Sequence, residues 1–372
     1  MRAQHLYVHV PFCARRCVYC DFSIAVRAVV PQDEYLDALR RELDARHANS
    51  ELSLETLYVG GGTPSKLSPA GVARLIDVVR SRATILPGAE VTLEANPEDV
   101  TDAAVAAWKA SGVNRVSLGV QSFDPAVLQW MHRTHSAEQA GAAVERLRAG
   151  GIDNVSIDLI FAAPAVLKRS WERDIDAAIA LAVPHVSVYG LTVESHTPLG
   201  RWVARNDVTE APEESFEREF LAGSSALTSA GFEHYEVSNY SIPSRASRHN
   251  SAYWMRRPYA GVGPSAHEFD GARRRWNVAP YAEWARRLGS GADPEESAEE
   301  LGSEQMAAEE VYLGLRTTAG LRPAGAEREH VQPWIESGWA FMRADGYLQL
   351  TPLGWLRLDA LAADLTHFRS RY

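Results

Sequence analysis

With 372 residues, 46% of them hydrophobic, the chain can fill the core of one large α/β domain and a smaller companion, which excludes a disordered polymer. A formal net charge of −10 excludes a general nucleic-acid binder, because phosphate neutralisation needs a basic face. No run of about eighteen apolar residues occurs, so no membrane span is expected, and three cysteines without a basic-then-apolar leader fit the cytoplasm.

Short β-rich runs recur along the chain, each followed by a turn and a helical pattern. Residues 6–10 (LYVHV), 56–60 (TLYVG), 91–95 (VTLEA), 115–120 (RVSLGV), 155–161 (VSIDLIF) and 185–191 (HVSVYGL) read as strands of one parallel sheet. Apolar residues at helical spacing over 33–47, 69–82, 101–110, 137–149 and 170–182 supply the crossovers. Gly112 and Gly150 are expected to end two of these helices in the left-handed conformation. Right-handed connections would curl the strands into an open, partial (β/α)6 TIM-like barrel over residues 1–231. From 232 to 295 the composition turns aromatic and glycine-rich, and this stretch is expected to close the barrel's open side. Residues 291–304 (GADPEESAEELGSE) read as an acidic linker. The tail, 304–372, reads as a small helical, winged-helix-like domain, expected to be a packing or partner module rather than a DNA reader.

All three cysteines, Cys13, Cys17 and Cys20, fall within the string VHVPFCARRCVYCDF. Packing thiols scatter, whereas ligating ones cluster. An odd number cannot form a complete disulfide set. Zinc would ask for a fourth ligand; His9 is near, but it lies on a strand-like run one face away. Three thiolates at these spacings fit one iron-sulfur cube and leave its fourth iron without a protein ligand. The CxxxCxxC arrangement resembles that of the radical S-adenosylmethionine (SAM) superfamily. The resemblance implies a 4Fe-4S cluster with SAM bound at the open iron and cleaved to a 5′-deoxyadenosyl radical.

A barrel would gather the C-terminal strand ends on one rim, where such folds do chemistry. Gly60, Gly61, Gly62, Thr63 and Pro64 follow the second strand; Glu94 ends the third, Gln121 follows the fourth, and Asp158 and Tyr189 lie late in the fifth and sixth. Consecutive glycines admit a ligand close to the backbone, or mark a sharp turn. Glu94 and Asp158 are carboxylates inside apolar strands, satisfied either by a ligand or by a core ion pair. Gln121 and Arg133 could hold a carboxylate or a ribose, and Arg133 reads equally as a surface cation.

The strings HVPFCxxxCxYCDF, GGGTPS, LEANPE, NRVSLGVQSF, DLIF, YGLTVESHTPL and HNSAYW together resemble those of the HemW-type haem chaperones, relatives of oxygen-independent coproporphyrinogen III oxidase. The likeness covers nearly the whole chain. It implies Cys13, Cys17 and Cys20 as cluster ligands, Tyr7, Gly61, Gly62, Thr63, Glu94, Gln121, Arg133 and Asp158 as SAM contacts, and Tyr19 beside the cluster. In the oxidases a further cysteine follows the third cluster cysteine after one residue; here Asp21 and Phe22 follow Cys20, as in the chaperones. The HNxxYW string implies His249 as the axial haem ligand, with Tyr253 and Trp254 as flat apolar surface and Arg256 and Arg257 as partners for propionates. A lone histidine in such a segment is also commonly a hydrogen-bonded core residue. Where relatives carry a glycine-rich turn after the fifth strand, this chain has Phe161, Ala162, Ala163, Pro164 and Ala165, so a second bound SAM is not expected. The leading expectation is a chaperone that binds cluster and SAM, takes up haem and passes it to acceptor proteins. Oxidative decarboxylation of coproporphyrinogen III and radical chemistry on an unrelated substrate are the alternatives.

Overall fold

The computed structural model of the chain describes residues 2–48 and 51–370. Six strands, β1 (Arg2–Val10), β2 (Glu51–Gly61), β3 (Thr84–Ala95), β4 (Arg115–Gln121), β5 (Asn154–Phe161) and β6 (His185–Gly190), pair in sequence order, each parallel to the next. Their apolar residues are sealed from solvent: Leu6, Val8, Val10, Leu57, Val59, Leu93, Val116, Leu118, Val155 and Ile157 are all buried. Such two-sided burial is what a parallel sheet flanked by helices demands.

The expected helices form within one or two residues of their sequence bounds. They are α1 (Gln32–His47), α2 (Pro69–Arg80), α3 (Asp102–Ser111), α5 (Ala137–Ala149) and α6 (Trp171–Ala180), with the short α4 (Pro125–Trp130) between α3 and α5. Ser68, Thr101, Ser136 and Ser170 cap α2, α3, α5 and α6 through their hydroxyls, and Ser136 with Gln139 closes a full capping box. Gly112 ends α3 at φ 99°, as expected. Gly150 does not act this way: its φ is −82°, and Gly151 takes the left-handed position at φ 79°. Gly150 is needed for space instead, since a Cβ there would stand 2.2 Å from Val105 of α3.

The extension adds strands to both edges of the barrel sheet. After α7 (Pro198–Ala204) and α8 (Glu213–Ser229), β7 (Glu233–Glu236) and β8 (Asn239–Ser241) continue it antiparallel beyond β6. After α9 (Arg248–Trp254), β9 (Ala260–Val262) joins parallel to β1. The order is β9-β1-β2-β3-β4-β5-β6-β8-β7, with no closing pair among the described residues. Glu42 of α1 fastens this extension. Its buried carboxylate accepts from the Gly263 amide (2.9 Å), the Asn277 amide (2.6 Å) and the Trp284 indole (2.9 Å), and pairs with Arg46 at 3.2 Å.

The acidic linker is a correction. Residues 295–300 form a strand, β12 (Glu295–Glu300), in an antiparallel sheet with β10 (His267–Phe269) and β11 (Arg273–Asn277). Glutamate is a poor strand former, but here it faces arginine: Arg273 pairs with Glu295 (2.8 Å) and Glu300 (3.4 Å), and Arg274 with Glu299 (3.1 Å). Opposite charges across a ladder override the intrinsic preference. Past α10 (Tyr281–Gly289), the tail comprises α11 (Ser303–Arg316), short α12 (Glu327–His330) and α13 (Gln332–Glu336), a hairpin of β13 (Ala340–Met342) and β14 (Leu348–Leu350), then α14 (Pro352–Trp355) and α15 (Leu358–Arg369). No described helix is long and apolar enough to cross a membrane.

Candidate functional site

A cavity of about 460 Å3 opens at the C-terminal ends of the parallel strands. Cys13, Cys17 and Cys20 line one wall, and Gly61, Gly62, Thr63, Glu94, Gln121, Arg133, Asp158, Tyr19 and Tyr189 line the rest. Residues as far apart in sequence as Cys13 and Tyr189 thus meet because each strand ends at the same rim.

The glycine run has a separate reason at each position. A Cβ on Gly60 would strike Tyr58 at 2.8 Å; Gly61 sits at φ 117° with His9 behind it; a Cβ on Gly62 would lie 2.7 Å from the Pro11 carbonyl and 3.0 Å from the Cys13 sulfur. The run therefore lets strand β2 pass directly beneath the cysteine loop. Thr63 then places its hydroxyl 3.3 Å from Cys13 Sγ.

Glu94 accepts from the Tyr58 hydroxyl (2.8 Å) and the Gly61 amide (2.9 Å). Burial, with the nearby Asp158 charge, outweighs these bonds and raises its carboxyl to about 7. Asp158 is in register with Gly119 and Ser187 and accepts from Ser117 at 3.2 Å; burial raises it too. Gln121 ends β4 at φ 69°, beyond a register shift, which turns its side chain across the cavity mouth above Gly119. Arg133 is not a surface cation. Its guanidinium donates to Asn96 Oδ1 (2.7 Å) and the Gly119 carbonyl (2.6 Å) and lies 3.7 Å from Cys17 Sγ.

The three thiols are free and share one loop. Burial lifts Cys20 to about 11, and the nearness of Cys17 and Cys13 adds to it. Among the described residues no three His, Cys, Asp or Glu side chains are drawn around a single ion. A four-iron cube needs a wider triangle of sulfurs than one ion does, and the thiols, cavity and adjacent Arg133 fit such a cube: free sulfurs converge on a space with a cation beside them. His9 is not a fourth ligand. Its Nε2 must donate to the Ser23 carbonyl (3.0 Å) while Nδ1 faces the Tyr7 hydroxyl (3.0 Å), and burial holds the ring neutral with its value lowered to about 4.

Two expected site residues stand outside this cavity. Tyr7 lies behind its wall, bonded to His9 and stacked on Tyr58 with ring centroids 6.1 Å apart. His249 is 1% exposed. Its Nδ1 meets Thr56 Oγ1 at 2.7 Å, its Nε2 meets the Tyr253 hydroxyl at 2.8 Å, and its ring stacks on Tyr58. Both nitrogens are engaged, so this arrangement does not present His249 to a haem.

Other lining residues escaped the sequence reading: Tyr58, Asn96, Arg115, Ser117, Ser187 and Asn250. Arg115 is the most telling. It is 2% exposed at the start of β4, and its charge lowers the cost of ionising Asp158 and Glu94. Its signal in the sequence was a lone guanidinium opening an apolar strand.

Known proteins resemble this chain in sequence and in fold. The Radical SAM superfamily profile matches residues 7–178. The heme chaperone HemW of Mycobacterium tuberculosis (strain ATCC 25618 / H37Rv) is 38% identical over 97% of this chain and 94% of its own length. HemW of Bacillus subtilis (strain 168) is 33% identical over 85% and 84%, and HemW of Escherichia coli (strain K12) 36% identical over 70% and 69%. Among solved structures, coproporphyrinogen III oxidase HemN of Escherichia coli, a radical SAM enzyme, superposes with a TM-score of 0.83 over 99% of this chain and 90% of that one; at 20% identity it speaks for the fold. Three cysteines on the loop after the first strand, a glycine run beneath them and an HNxxYW helix behind the cavity thus sit in a chain that belongs to the HemW heme chaperone family of the radical SAM superfamily.

Proposed function

We propose that the protein is a haem chaperone that holds a 4Fe-4S cluster on Cys13, Cys17 and Cys20, binds SAM in the adjoining cavity, takes up haem and passes it to acceptor proteins. The observation that carries the reading is the trio of free thiols on a cavity that Glu94, Asp158, Arg115, Arg133, Gly61 and Gly62 also line. The heme chaperone names of the relatives supply the cargo.

When bound and reduced, the cluster supplies the electron that cleaves SAM. The chain's own residues do the rest. Glu94, once ionised, attracts an ammonium; Arg133, anchored by Asn96 and Gly119, sets a positive charge against Cys17 and the anionic end of a ligand. Gly61 and Gly62 keep the floor low enough for a ligand to lie beside the sulfurs. Asp158 and Gln121, on neighbouring strands, face the remaining polar groups.

Anaerobic reconstitution with iron and sulfide, then haemin titration and transfer to an apo-acceptor, tests cluster, cargo and role together. The expected result is about four irons per chain, a haem spectrum and transfer. Protoporphyrinogen formed catalytically from coproporphyrinogen with SAM and reductant would replace the chaperone reading by the oxidase one.

A further inference from the structure

Helix α9 has a cavity on each side. Asn250 lines the cysteine cavity, whereas Tyr253 and Trp254 line a second cleft of about 940 Å3, bounded by Phe269, Arg274 of β11 and one face each of α11 and α15. That volume stands at the upper end of the roughly 300–1,000 Å3 of small-molecule sites. The floor is aromatic: Tyr253, Trp254, Tyr259, Phe269 and Tyr312. The opposite wall is small, because α15 offers Ala362, Ala363 and Thr366 there. A flat apolar body fits between them.

Two polar groups in this cleft are uncommitted. His367, on the cleft face of α15, is exposed and its imidazole makes no hydrogen bond or ion pair with any described residue. Arg257 is exposed and equally without a side-chain partner among the described residues. The other cations are spent: Arg256 and Arg274 both bind Glu309, at 3.1 and 2.7 Å. Three guanidiniums face two carboxylates, Glu309 and Asp359, so the cleft keeps a surplus of positive charge.

We propose that this cleft is the haem site, with His367 as the axial ligand and Arg257 as a propionate partner. The proposal rests on the haem reading above and moves the ligand from the core to the C-terminal unit. A neutral imidazole gives the iron a nitrogen lone pair without displacing any existing bond. His249, by contrast, would have to leave Thr56 and Tyr253. Its role is to hold Tyr253 in the cleft wall, one side chain from the SAM cavity. It is a positioning residue.

The test compares haemin with iron-free protoporphyrin on reconstituted full-length protein. His367→Ala lies on an exposed helix face and keeps helix propensity, so folding is spared. It is expected to shift the Soret band and weaken haemin at least tenfold while leaving protoporphyrin unchanged, and added imidazole should restore the spectrum. Ala363→Trp fills the cleft and should abolish both ligands while iron content and SAM binding persist. If His367→Ala matches the wild type in spectrum and affinity, or Ala363→Trp still binds haemin, the cleft assignment fails and the haem reading survives. A wild-type protein that takes up no haemin overturns both.

Discussion

The cysteine cavity and the aromatic cleft lie on opposite sides of one short helix and are built by opposite means. The cavity gathers single polar residues from the ends of parallel strands, each anchored by a backbone or side-chain bond: Glu94 by Tyr58 and Gly61, Asp158 by Ser117, Arg133 by Asn96 and Gly119. The cleft arises where helices from the C-terminal unit fail to fill the space against the extension, and two of its polar groups, His367 and Arg257, are left unanchored. Preorganised polarity suits a small charged cofactor that stays. A loose apolar cleft suits a cargo that must also leave.

Removing a cluster thiol would separate the two most sharply. Cys17→Ser should drop reconstituted iron from about four per chain to background and take SAM binding with it, measured by iron assay and calorimetry. Haemin affinity should stay within about twofold, because distant sites act additively. A parallel collapse of haemin binding in the cluster-free protein would show that the two regions are one site.

Next in size is the clasp that joins core to extension. Glu42→Ala leaves the Gly263 amide and the Trp284 indole without their buried acceptor, Asn277 with only the Gly263 carbonyl, and Arg46 with only Asn277 and Asp293. A loss of about 3–5 kcal/mol is expected, read from the urea midpoint. Since Arg274 of the cleft rides on the strand that Asn277 ends, haemin binding should weaken before the cysteine cavity does.

A smaller effect distinguishes the cavity by pH. Burial raises the Glu94 carboxyl to about 7. Between the ordinary carboxylate range and pH 7 the folded chain therefore keeps a proton that the unfolded chain has lost, so Glu94 costs stability as pH rises through that window. An ammonium bound beside it favours the ionised form. SAM affinity should thus climb about fivefold from pH 6 to 7 and about twofold more before it levels off near pH 8, relative to Glu94→Gln, which cancels the ligand's own titration. Equal profiles for Glu94→Gln and wild type would remove Glu94 from the site.

The cavity was legible in the sequence because its residues violate their surroundings: thiols in a cluster, carboxylates inside apolar strands, three glycines in a row. Arg115 broke the same rule but opened its strand, and so read as a boundary. The cleft was not legible. Ala362, Ala363 and Thr366 violate nothing on α15, and His367 looks like an ordinary last-turn base. Strand β12 was missed because its glutamates argue against a strand until Arg273 and Arg274 are placed opposite. His249 looked like a ligand from its string, whereas its burial depends on Thr56, nearly two hundred positions away.

The smallest predicted effect concerns the turn after β5, where the family resemblance implies glycines and this chain has Ala162, Ala163 and Ala165. Ala162 sits at φ 57°, a left-handed position that costs an L-residue about 1–2 kcal/mol. The turn persists because its amide donates to Glu219 (2.8 Å), which Arg169 holds at 2.7 Å. Ala162→Gly removes the steric cost but adds unfolded-state entropy worth about 0.5–1 kcal/mol. A net gain of about 0.5 kcal/mol is expected, seen as a small rise in the urea midpoint. Neither SAM nor haemin affinity should change, because Ala162 lines neither space. A gain in SAM affinity instead would mean that this turn shapes the rim, and that the cavity extends beyond the residues that line it here.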